Sequence, residues 1–223
     1  MSRSTAAALA VVVVVGLVVG YAALTLLFPA EGAGTVTSTG TSTTTVLQTT
    51  SVTVSTSLPE GRWKPDGAIE DNEYAHKLEL ADGKYFVHWG NDNEYLHMAL
   101  EGETNGWLSI GFEPTSGMQD ADMIFGWAKD GEATVLDLYS QGPTGPHPPD
   151  TQLGGTNDIL EHGGKEENGR TVLEFKRRLD TRDMYDKAFT RGQTIRIIWA
   201  MAGVDEFTTK HNIARGSGEL TLD

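Results

Sequence analysis

Gly106-Trp107-Leu108-Ser109-Ile110-Gly111-Phe112-Glu113-Pro114 runs almost directly into Gly117-Met118-Gln119-Asp120-Ala121-Asp122-Met123. The first stretch is short, apolar and aromatic-rich, and Gly and Pro punctuate its end, which is the signature of a β-strand. The loop that follows presents a thioether, Met118, and the next strand opens on an acid, Asp122. Outward from this point the pattern repeats. Short segments rich in Val, Ile, Tyr, Phe and Trp predict strands over 73–80, 85–89, 95–100, 107–112, 123–128, 134–140, 170–176, 194–201 and 219–222. Asp82-Gly83, Asp130-Gly131 and Asn168-Gly169 fall between strand pairs, where tight hairpins need positive φ. One short helix is expected, over 181–187. About nine strands at this spacing, with no long helix between them, predict an all-β, antiparallel sandwich.

The segment 194–201 shows how side chains would be sorted. Ile195, Ile197, Trp199 and Met201 fall on one face, Arg196 and Ile198 on the other. The first face packs inward and the second is mixed. Periodicity does not say whether an apolar face lines an ordinary core or a cofactor slot.

The charge and the cysteine count exclude several functions. A net charge of −14 argues against nucleic acid and against anionic lipid headgroups, both of which attract basic surfaces. With no cysteine there is no disulfide, thiolate zinc site, iron–sulfur cluster or covalently attached c-type haem. HExxH, GxSxG and GxGxxG are likewise missing, so a zinc-protease, serine-hydrolase or dinucleotide reading has no support.

The N-terminus predicts the compartment. Residues 6–28 form an uncharged run dominated by Val, Leu and Ala. At 1.5 Å per residue such a run spans ~34 Å, enough for a bilayer core. Arg3 precedes it and Glu31 follows, so residues 1–5 are expected to stay cytoplasmic and the rest to be exported from a single-pass cell-membrane anchor. A cleaved signal peptide is the alternative, its apolar region usually being shorter. Residues 29–62 read as a Ser/Thr-rich stalk, which cannot bury a core and would hold residues 63–223 clear of the membrane by ~25–30 Å.

Six histidines are present, and most sit in strands or polar loops where a solvated imidazole is ordinary. His211, in Lys210-His211-Asn212-Ile213-Ala214-Arg215-Gly216, is the one that pairs with Met118 in interest. A sulfur and a nitrogen on separate loops are the two axial ligands that a haem iron takes in many cytochromes. Taken singly, Met118 reads as a gap-filler and His211 as a surface residue.

Read in order, these pieces resemble the DOMON superfamily of immunoglobulin-like sandwiches. The resemblance covers residues 66–222. It is carried by Asp66-Gly67 with Glu73-Tyr74, the 107–112 strand, Gly117-Met118 with Ala121-Asp122, and Asp137-Leu138-Tyr139-Ser140. Leu173-Glu174-Phe175-Lys176-Arg177 with Leu179-Asp180, Ile198-Trp199-Ala200, and His211 with Arg215-Gly216 complete it. Some members bind b-type haem through a Met and a His, in the loops that match Met118 and His211. The resemblance therefore implies a one-electron b-type cytochrome domain served by an exported redox partner, with Trp107, Phe112 and Trp127 as apolar walls. Other members have lost these ligands and are thought to bind sugars or partners, which makes a haem-free carbohydrate- or protein-binding module the alternative. In that case Trp63, Trp89 and Tyr139 would offer stacking platforms. Monooxygenase-type members also hold a metal near the acid matching Asp122. Here the carboxylates of Asp122 and Asp158 and the carbonyls of Met123 and Leu138 would form an oxygen shell suited to calcium or sodium. The copper domains of those enzymes are not matched, so hydroxylase activity is not implied.

Overall fold

Residues 63–223 are described by a computed structural model; the expected cytoplasmic tip, anchor and stalk lie outside them. Among the described residues no helix is long and apolar enough to cross a membrane. Ten strands run β1 His76–Leu80, β2 Tyr85–Asn91, β3 Tyr95–Gly102, β4 Leu108–Phe112, β5 Asp122–Lys129, β6 Glu132–Tyr139, β7 Glu161–Glu167, β8 Arg170–Arg178, β9 Thr194–Met201 and β10 Ala214–Thr221. A single-turn helix, α1, covers Asp150–Leu153. The strands form two five-stranded antiparallel sheets, ordered β1-β2-β3-β8-β7 and β10-β9-β4-β5-β6. This is the all-β sandwich that the strand pattern predicts.

Alternation builds the core between the sheets. One sheet turns Tyr85, Val87, Leu96, Met98, Leu100, Leu173 and Phe175 inward, and the other answers with Leu108, Ile110, Phe112, Ile124, Ile195, Ile197 and Met201. Two polar tips buried with this core find partners, as burial requires. The Tyr85 hydroxyl donates to the Ser109 carbonyl at 2.8 Å, and Trp89 Nε1 to the Thr221 carbonyl at 2.9 Å. The turn dipeptides behave as expected, with Asp130 and Gly131 at φ 53° and 82° and Asn168 and Gly169 at 54° and 78°.

Two expectations differ from the structure. Residues 181–187 are not helical. Arg182 takes φ 66°, and the Asp183 carboxylate accepts the Tyr185 and Thr156 amides, so its oxygens serve a loop instead of a helix. Strand β7 was not foreseen. Glu-His-Gly-Gly-Lys-Glu-Glu has no apolar alternation, because it is an edge strand paired only with β8.

Candidate functional site

The outward face of the β10-β9-β4-β5-β6 sheet carries a second apolar cluster. Ser109, Met123, Phe125, Ile198 and Ala200 project there, with Ser109 opposite both Phe125 and Ala200 in the ladders. Trp107 packs on Phe125 at a ring-centroid distance of 4.2 Å, and Phe207 meets Phe125 edge-on at 6.0 Å. At Gly111 a side chain would collide with Ile198, so glycine lets that residue settle against the sheet. These residues floor and flank a cleft of about 930 Å³, within the ~300–1,000 Å³ usual for small-ligand sites.

Two loops wall the β5–β6 side. The first bears Met118, whose amide donates to the Pro143 carbonyl at 3.1 Å and whose carbonyl accepts the Ala121 amide at 3.2 Å. The second is the Pro-rich run through His147. The Tyr139 and Gln141 amides pin it by donating to the Pro148 and Pro146 carbonyls, each at 3.1 Å. The wall on the β9–β10 side is Phe207 to His211, fixed at its root by the Gly203 amide donating to Asn212 Oδ1 at 3.0 Å. His211 Nε2 lies 3.3 Å from Arg215 Nη1.

Among the described residues no carboxylate lines this cleft, although acids outnumber bases in the chain. Lys210 and Arg215 do line it, and among the described residues neither is ion-paired with an acid. Burial, and then the neighbouring His211, pulls the His147 pKa below its ordinary value. Burial and Arg215 do the same to His211. Both imidazoles therefore favour the neutral form, which has a lone pair to offer. Three polar atoms of lining residues, Trp107 Nε1, His147 Nδ1 and Trp199 Nε1, are buried without a hydrogen-bond partner among the described residues.

Met118, His211 and Trp107 are thus brought to one cleft, from three separate segments of chain. Phe112 is not; it faces the main core and meets Phe189 edge-on at 5.3 Å. Trp127 shares the phase of Met123 and Phe125 but sits farther along β5, beside the outer cluster and outside the cleft lining. Phe125, Phe207 and His147 are among the lining residues that the sequence reading did not single out. Strand phase from Met123 would have found Phe125; nothing local marks the other two. Trp63, Trp89 and Tyr139 make no shared platform. Trp89 is buried and stacked on His76, Trp63 Nε1 donates to the Tyr74 hydroxyl, and Tyr139 packs on Tyr185.

A different chemistry gathers inside the sandwich at its β5–β6 end. Arg177, 1 % exposed, donates through Nη1 to Asp122 Oδ2 at 2.7 Å and places Nη2 3.3 Å from Asp186 Oδ2. Asp137 joins them, and oxygens of Asp122, Asp137 and Asp186 lie within 4.8 Å of one another. One guanidinium cannot neutralise three carboxylates. Burial, then Asp186, pushes Asp137 up to about 7, and burial, then Asp137, pushes Asp150 up to about 8. Oδ1 of Asp122 and of Asp137 has no hydrogen-bond partner among the described residues, nor does either oxygen of Asp150. The expected metal shell overlaps this cluster in part. Asp122 belongs to it, and Met123 and Leu138 are cross-strand partners beside it. Asp158 enters through its amide, which donates to Asp137 Oδ2 at 2.7 Å, while its carboxylate accepts from Thr156 Oγ1 at 2.6 Å.

A second pocket, of about 670 Å³, lies near Arg178, Arg182 and Arg191. Two of its cations are engaged, Arg178 with Glu94 and Arg191 with Asn93.

Comparison with known proteins agrees with this architecture. The DBH-like monooxygenase protein 1 of Mus musculus is 34 % identical over 153 residues, covering 67 % of this chain but only 24 % of its own length. The Homo sapiens protein of the same name is 29 % identical over the same length and share. The chain therefore spans about a quarter of the length of these relatives. Among solved structures, the cytochrome domain of Myriococcum thermophilum cellobiose dehydrogenase superposes with a TM-score of 0.50 at 11 % identity, covering 66 % of this chain and 82 % of that one. At that identity the likeness is one of fold. The family model of the DOMON domain matches residues 81–202, more than half of the sequence and most of both sheets, and the chain belongs to that family.

Proposed function

We propose that this is a membrane-anchored, extracytoplasmic b-type haem domain that passes single electrons, with Met118 and His211 as axial ligands. The observation that carries the reading is the convergence of that thioether and that imidazole on one apolar, carboxylate-free cleft. Haem, when bound, supplies a reversible one-electron couple at its iron. The protein supplies the rest. Trp107, Phe125 and Phe207 offer flat apolar surface that excludes water, and the unpartnered indole N–H of Trp107 is one of the few polar atoms there. Lys210 and Arg215, both in the cleft lining, would supply positive charge to pair with the carboxylates of a porphyrin. Two protein ligands leave no open position for oxygen activation, which favours electron transfer over hydroxylation. The apolar run 6–28 and the stalk would tether the domain and let it swing between an exported donor and acceptor.

The test is an absorption spectrum of the purified full chain with and without dithionite, repeated after haem is supplied. A reduced α-band that Met118→Ala and His211→Ala each shift or abolish supports the reading. A colourless protein that still binds glycans on an array would replace it with the haem-free module, and a spectrum unchanged in both variants would remove the ligand assignment.

We also propose a structural cation, calcium or sodium, at Asp122, Asp137 and Asp186. The buried carboxylate oxygens without partners support it, being hard oxygen donors in excess over one arginine. Calcium should raise the melting temperature of the wild type and leave Asp137→Asn unmoved; equal shifts in both, or none in either, count against it.

A further inference from the structure

We propose that His147 is an alternative axial ligand, which shares the Met118 side of the cleft and competes with that thioether for the position facing His211. The inference rests on the haem reading above and adds a residue to it.

Three observations place His147 there. First, the Met118 loop and the His147 loop are joined, the Met118 amide donating to the Pro143 carbonyl at 3.1 Å. Both ligands therefore sit on one lip, while His211 comes from the segment between β9 and β10 on the other. Second, His147 is rigidly presented. Pro146, Pro148 and Pro149 restrict the backbone on both sides, and two amides from the β6 end, of Tyr139 and Gln141, hold the loop in place. A ligand on fixed backbone loses little freedom when it binds. Third, its Nδ1 is buried without a hydrogen-bond partner among the described residues. A histidine kept for structure would be expected to use such an atom.

The cleft then carries two ligand sets for one iron, thioether with imidazole or two imidazoles. Replacing the thioether by a second imidazole lowers the reduction potential, so which residue binds decides the driving force toward a partner.

Full-length chain loaded with haem is compared as wild type, Met118→Ala, His147→Gln and the double variant. Met118→Ala should keep a six-coordinate, low-spin spectrum with a lower midpoint potential and no far-red thioether-to-iron band. The double variant should become high-spin, and added imidazole should restore the low-spin form. Gln keeps the loop's bulk and removes the ligand, and circular dichroism of each variant reports folding independently. A Met118→Ala protein that is already high-spin, with His147→Gln changing nothing in either background, overturns the proposal while leaving the haem reading intact. Failure of every variant and the wild type to take up haem removes both.

Discussion

Glu174 shows how much one side chain can organise. It is fully buried in β8, where Oε2 accepts the Gly67 amide at 2.6 Å and Oε1 accepts the Tyr74 hydroxyl at 2.7 Å. Burial, with Glu73 and Asp66 nearby, pushes its carboxyl up to about 7. Because the folded pKa is raised, the associated stability is fully present below the usual carboxylate range and is lost as pH rises through 7. Urea titrations from pH 5 to pH 8 should show this decline in wild type and a flatter profile in Glu174→Gln; parallel profiles would refute the assignment. Arg177 is the complementary case. Arg177→Ala strands Asp122 and Asp186 in the interior and should cost about 3–5 kcal/mol, read as a lower urea midpoint. Its role was not legible in the sequence, where alternation sets Arg177 in phase with Leu173 and Phe175 but names no partner for its charge. Alternation assigns a face but does not reveal that two of β8's charged residues, Glu174 and Arg177, are buried.

Among the elements, the strands with alternating β-branched and aromatic residues were legible, and β9 was read with its observed boundaries. What escaped were elements defined by neighbours. Strand β7 exists because β8 offers it a ladder and because Gly163 lets residue 65 lie directly on it; a side chain there would run into the Pro65 carbonyl. Gly163→Ala should therefore lift the segment that precedes β1 and cost about 1–3 kcal/mol, as overpacking does. Faster hydrogen exchange at the Gly67 amide would report it, and an unchanged rate would contradict it. The expected turn of helix at 181–187 failed for a related reason. Asp183 and Asp186 serve tertiary partners, Thr156 and Arg177, that lie outside the segment itself.

For the whole molecule, the site was legible as two loops, and their meeting was not. Met118 and His211 are ordinary residues taken singly and gain interest from the resemblance, but that both line one cleft follows from the sheet order, which sets β5 and β9 on either side of β4. His147 lies in a Pro-rich run without apolar periodicity, so nothing local announces its place in the cleft lining. Charge distribution adds a prediction at this scale. Lys210→Glu together with Arg215→Glu, in a chain of net charge −14, should weaken haem uptake at low salt more than at high salt. Equal weakening at both ionic strengths would argue against an electrostatic role.

The cleft's floor is the back of a sheet whose front already closes the principal core. Guest and scaffold consequently draw on separate surfaces. Emptying the guest site should leave the sandwich standing, with nearly unaltered far-ultraviolet dichroism. Such a layout lets the occupant of the cleft change without disturbing the architecture beneath it.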